Sequence, residues 1–73
     1  MFNKREYLRN TSEFCEKMQN SCDKLWNGML FEYAPCVKNQ GNYAVCLGLI
    51  KECHDAFERL SSITAKMSLK ESV

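Results

Sequence analysis

The residues of this chain whose side chains could do chemistry are five cysteines and a single histidine. Cys15 and Cys22 are seven apart, and so are Cys46 and Cys53. On an α-helix that interval is two turns, about 10.5 Å along the axis and on one face. A disulfide needs Cα atoms within about 7 Å, so neither pair can close within its own helix. Nor can one tetrahedral zinc take both members of a pair, because Zn–S bonds are about 2.3 Å long. Any bond among the four therefore crosses between helices. His54 follows Cys53 directly, and neighbouring helical residues point about 100° apart, so these two cannot form a nucleophile pair. His54 is expected on a charged, solvated face near Glu58. Cys36 is the odd thiol and sits beside Pro35. There is no Cys-x-x-Cys, no phosphate-binding loop and no convergent carboxylate pair. No catalytic residue, metal ligand set or cofactor site is assigned, and the chain reads as a non-enzyme.

The elements that must position these residues are two amphipathic helices. Tyr43, Cys46, Ile50, Cys53, Phe57, Leu60, Thr64 and Met67 recur at alternating steps of three and four, with Lys51, Glu52, Asp55, Glu58 and Arg59 between them. This is a coiled-coil-like seam with a seven-residue repeat. A second stripe, Leu8, Thr11, Cys15, Met18, Cys22, Leu25 and Met29, repeats the same spacing, widened by Phe14 and Trp26. Asn3…Glu6 and Asn10…Glu13 each fit a capping box, so residues 1–9 are either a helical turn or an arm. Pro35 ends the first helix, and Lys38 to Asn42 supply turn and cap residues, with Asn42 as the expected N-cap. The expected layout is one domain over 1–73: a helix over about 10–33, a loop over 35–41 and a helix over about 42–67. Such a chain folds as an all-α antiparallel helical hairpin.

Two registers satisfy the cysteines. In one, Cys15 faces Cys53 and Cys22 faces Cys46, so that two bridges form together. In the other, slipped by one heptad, Cys22 faces Cys53, Met18 meets Phe57, Leu25 meets Ile50 and Tyr33 meets Tyr43. Free thiols packing as small hydrophobes are the third reading. The doubly bridged version resembles the coiled-coil-helix-coiled-coil-helix proteins of the mitochondrial intermembrane space, which carry two Cys-Xn-Cys pairs on antiparallel helices. That resemblance implies structural cysteines and a role as assembly factor or structural subunit of a respiratory complex. The six residues between the cysteines of each pair depart from that family's usual spacing. Trp26-Asn27-Gly28 resembles the Trp-x-Gly turn of small secreted helical-hairpin proteins, though here it would leave unequal arms.

Composition bounds the function further. A net charge of +1 provides no basic stripe, which argues against nucleic acid as a partner. The longest apolar stretch, from Tyr43 to Ile50, is too short to span a bilayer. The charged start, with Lys4, Arg5 and Glu6, is not a secretory signal, so an intracellular location is expected, in the cytoplasm or the mitochondrial intermembrane space. A core of 73 residues is thin without a staple or a partner. The apolar stripes are also wider than a two-helix seam, leaving Trp26, Met29, Leu30, Phe31 and Tyr33, with Leu47 and Leu49, as the expected interface. These observations point to a small protein–protein interaction module, an adaptor, chaperone-like partner or accessory subunit, whose partner is another protein or a further copy of itself. The competing readings are the disulfide-stapled subunit described above and a pathogen secretion chaperone or viral accessory hairpin.

Overall fold

Asn3 starts the first helix by turning its side chain onto the chain that follows: its Oδ1 accepts from the Glu6 backbone N–H at 3.0 Å. Helix α1 then runs over Lys4–Gly28, with Glu6 in the first turn where the positive end of the helix dipole favours it. The first helix thus begins near residue 4, not residue 10. Of the two capping boxes the upstream one is used, and Asn10-Thr11-Ser12 is ordinary helix, with the Thr11 hydroxyl donating back to the Tyr7 carbonyl at 2.8 Å. The computed structural model describes residues 1–33, 38 and 40–71. Ala34, Pro35 and Cys36, and with them most of the expected loop, lie outside the described residues.

At its far end α1 does not turn back at Trp26-Asn27-Gly28. Met29 stays right-handed helical, with φ −63° and ψ −41°, and its N–H bonds to the Leu25 and Trp26 carbonyls. A wider, π-helical turn follows over Met29–Tyr33. The tripeptide is therefore the last turn of a helix and not a hairpin bend. Helix α2 spans Gln40–Lys70, starting two residues before Asn42 and closing on Lys70, whose charge suits the helix C-terminus. The two helices pack side by side into a rod of 54 × 17 × 16 Å, an all-α helical hairpin, with no strand among the described residues.

The register is marked by three cross-helix contacts. Ser12 lies against Ser61, the Ser68 hydroxyl donates to the Arg5 carbonyl at 3.3 Å, and the Tyr43 hydroxyl donates to the Met29 carbonyl at 3.0 Å. The Tyr33 and Tyr43 rings sit 6.2 Å apart. This is the slipped register of the two, in which Tyr33 meets Tyr43.

The rotation of the helices departs from the expected seam. Of the residues assigned to it on α2, Ile50, Phe57 and Thr64 turn inward, but Cys46, Cys53, Leu60 and Met67 are exposed. Their places are taken by the next residues along, Leu47, His54, Ser61 and Ser68. Helix α1 shifts in the same way: Cys15 and Cys22 are buried as expected, while Ser12, Gln19 and Trp26 are tucked in at least as far as Thr11, Met18 and Leu25. The physical reason is the chemistry of the inner strip. The Ser12 hydroxyl donates to the Ser61 carbonyl at 3.1 Å and the Ser61 hydroxyl donates to the Ser12 carbonyl at 3.3 Å. Thr64 donates to Leu60 and Ser61 carbonyls at 2.8 and 3.1 Å. No buried side-chain polar atom of the described residues lacks a partner. Small side chains let the helices approach closely enough for these bonds, which also tie down the serine-rich end of α2 that propensity alone leaves weak.

This arrangement distinguishes two adjacent serines. Ser61→Leu forces a large side chain between helices in contact and should lower unfolding stability by about 1–3 kcal/mol. Ser62→Leu, one step round the helix and exposed, should stay within about 0.5 kcal/mol. Urea denaturation followed by circular dichroism measures both; equal effects would contradict the rotation.

Candidate functional site

The rotation gives the hairpin two unlike sides. One carries a shallow groove of about 350 Å³ lined by Cys22, Asp23, Trp26, Ile50, Lys51, His54 and Asp55. His54, expected among solvated charges, is instead half-buried at the edge of the helix pair. Its Nε2 lies 3.4 Å from an Asp23 oxygen on the other helix, and its Nδ1 lies 3.5 Å from Asp55. His54, Asp55 and Glu58 hold their ligand atoms within 4.8 Å of one another. The two acids are exposed, and with Asp23 reaching His54 from α1 the group forms a surface cluster that links the two helices.

Cys22 lines the same groove. Burial, then the neighbouring Cys53 thiol and the Asp23 carboxylate, push its pKa up, which disfavours the thiolate. No hydrogen bond joins Cys22 to His54 among the described residues, so the pair lacks the geometry for general-base activation. The four described cysteines, Cys15, Cys22, Cys46 and Cys53, are free thiols, the first two buried and the last two exposed. Cys15 lies beside Phe57 and Leu60. The double bridge of Cys15 to Cys53 and Cys22 to Cys46 belongs to a register one heptad away from the observed one. Cys22 next to Cys53 is the neighbouring pair that the fold creates.

The other side is apolar. A groove of about 410 Å³ runs between Tyr7, Thr11, Phe14 and Cys15 on α1 and Phe57 and Leu60 on α2. Leu60, Ile63 and Met67 continue it in the open along α2. Toward the loop, Leu25 and Tyr33 border a second depression with Met29 and Gly28. Of the interface residues read from the sequence, Phe31, Tyr33 and Leu49 are exposed, Phe31 at 75%. Trp26, Met29, Leu30 and Leu47 are half-buried. Tyr7, Phe14, Leu60, Ile63 and Met67 are exposed apolar residues that sequence reasoning did not assign to an interface. Leu60 and Met67 had been given to the hairpin seam, and the competing signal was the serine and threonine strip one residue further along the helix.

The thiol environments make a direct prediction. Under brief alkylation of the native chain near neutral pH, Cys46 and Cys53 should label first, and Cys15 and Cys22 only on unfolding; peptide mapping reads the order, and early labelling of Cys22 would contradict it. The raised pKa of Cys22 also has a stability consequence. Because folding favours the protonated thiol, its contribution is complete below the unfolded thiol pKa and is lost as pH rises through the folded value. Alkaline destabilisation should therefore flatten in Cys22→Ala, measured as unfolding midpoint against pH.

No protein-family model matches the chain, and neither does any curated protein or any solved structure, so the geometry alone carries the functional argument.

Proposed function

We propose that this chain is a non-enzymatic protein–protein interaction module whose apolar helix faces are its working surface. The observation that carries this reading is an inversion of the usual distribution. The buried apolar residues among those described are Cys15 and Cys22, whereas Phe14, Phe31, Leu49, Leu60, Ile63 and Met67 all lie in the open. Each large apolar side chain kept in water forgoes about 1.5–3 kcal/mol of burial. A chain this small has little stability to spare, and contiguous apolar area on this scale marks a contact surface. The grooves are open, and Cys22 and His54 line one of them with no hydrogen bond between them, which supports binding over catalysis. No helix of the described residues is long and apolar enough to cross a membrane. Adaptor, chaperone-like partner and accessory subunit are the roles that such a surface serves.

The test is the size of the species that carries the chain in its native cells. It should travel in an assembly larger than 8.5 kDa. Phe31→Asp should weaken that association at least about tenfold, as loss of an aromatic anchor does, while helicity by circular dichroism is unchanged. A chain that runs alone in native extract, with or without the substitution, would overturn the reading.

A further inference from the structure

The bare face of α2 is not a scatter of apolar residues. From Cys46 to Met67 the positions 46, 49, 53, 56, 60, 63 and 67 step by three and four, all are apolar, and all are exposed. This is a complete second coiled-coil seam on a helix whose first seam is already used by α1. We infer that a second copy of this chain covers it, with the two α2 helices antiparallel about a two-fold axis at Ala56. The inference rests on the interaction reading above and goes further in naming the occupant.

Three observations select a second copy. The first is that the stripe is self-complementary when reversed. Centring on Ala56 sets Leu49 level with Ile63 of the second copy and brings Cys46 and Cys53 within one residue of the levels of Met67 and Leu60, and each match then occurs twice, as an isologous contact requires. Small meets large in two of these layers, and alanine at the centre lets the axes approach. The second is charge. One flank of the stripe carries Glu52 and Arg59, both exposed, and neither makes an ion pair among the described residues. The same reversal brings Glu52 of each copy within one residue of the level of Arg59 of the other, within reach of these long side chains, giving two opposite-charge matches. A parallel pairing would stack identical layers and lose both. The near-neutral chain, at net +1, does not repel its copy.

The third observation is area. A compact protein of this mass exposes about 4,700 Å² by the usual surface scaling. This chain exposes 5879 Å². The excess reflects the 54 × 17 × 16 Å rod shape, and it leaves more than the roughly 800 Å² that each partner buries in a stable interface open to a second copy. Tyr7 and Phe14 border the groove beside Phe57 and Leu60, so the incoming helix meets apolar surface from α1 as well. The result is a four-helix assembly of two hairpins.

Sedimentation equilibrium of the reduced full-length chain is the test. The expected result is a reversible dimer at twice 8.5 kDa. Glu52→Arg alone and Arg59→Glu alone should each weaken it by roughly tenfold or more, because each places like charges opposite one another twice. The double variant should recover to within about threefold of the original. Ala56→Glu should give a monomer with its helicity intact, since Ala56 touches solvent in the single chain. A chain that remains at 8.5 kDa up to about 0.1 mM, a weaker affinity than interfaces of this size show, overturns the inference. So do charge reversals that change nothing, or a double variant that fails to recover. If the chain is monomeric while Phe31→Asp still releases it from its native assembly, the interaction reading stands and the occupant of the α2 stripe is a helix of another protein.

Discussion

The reciprocal bonds between Ser12 and Ser61 set the rotation of both helices, and most of what is distinctive about this chain follows from that rotation. Each hydroxyl donates to the carbonyl of the other residue, at 3.1 and 3.3 Å. Bonds of this kind contribute only about 1 kcal/mol net apiece. Their geometric demand is larger than their energy. They require the two backbones to be close, and closeness admits only Ser, Cys and Thr along that part of the contact. Phe14 on α1 and Leu60, Ile63 and Met67 on α2 are thereby turned to the outside.

An isolated hairpin gains little from that choice. Burying Leu60 and Met67 in place of Ser61 and Ser68 would remove more apolar area from water, and in a self-sufficient fold the larger burial term should prevail. The arrangement becomes favourable when the outward stripe has its own cover, because α2 can then bury two seams at once. A narrow hydroxyl-lined seam holds the hairpin, and the wide apolar seam is the surface proposed above for assembly. This division also explains why one side of the rod carries Asp23, Lys51, His54 and Asp55 while the other carries Phe14, Leu60 and Met67.

The four described cysteines fit the same scheme as free thiols. Cys15 and Cys22 serve as small residues in the close seam. Cys46 and Cys53 occupy the outer seam beside leucine and isoleucine. The seven-residue spacing that suggested a disulfide framework is the heptad itself, seen through residues small enough to sit on either seam. His54 likewise occupies a seam-edge position, and its contact with Asp23 ties the charged side of the two helices together.

The hairpin, its two helices and the heptad spacing of both stripes were legible in the chain, because a period of 3.5 to 3.6 survives whichever face is buried. Of the seven residues read as left over for an interface, Phe31, Tyr33 and Leu49 are exposed, while Trp26, Met29, Leu30 and Leu47 are half-buried. The choice of face was not legible. On α2 the positions 43, 50, 57 and 64 serve two candidate seams equally, one completed by Cys46, Cys53, Leu60 and Met67 and the other by Leu47, His54, Ser61 and Ser68. Hydropathy favours the first. The distance at which two helices must sit for Ser12 and Ser61 to satisfy each other favours the second, and that distance depends on residues 49 positions apart. Sequence alone determined that two rods would lie antiparallel; only packing decided which edge each rod would hide, because a hydrogen bond across a close contact is a property of the pair and belongs to neither helix by itself.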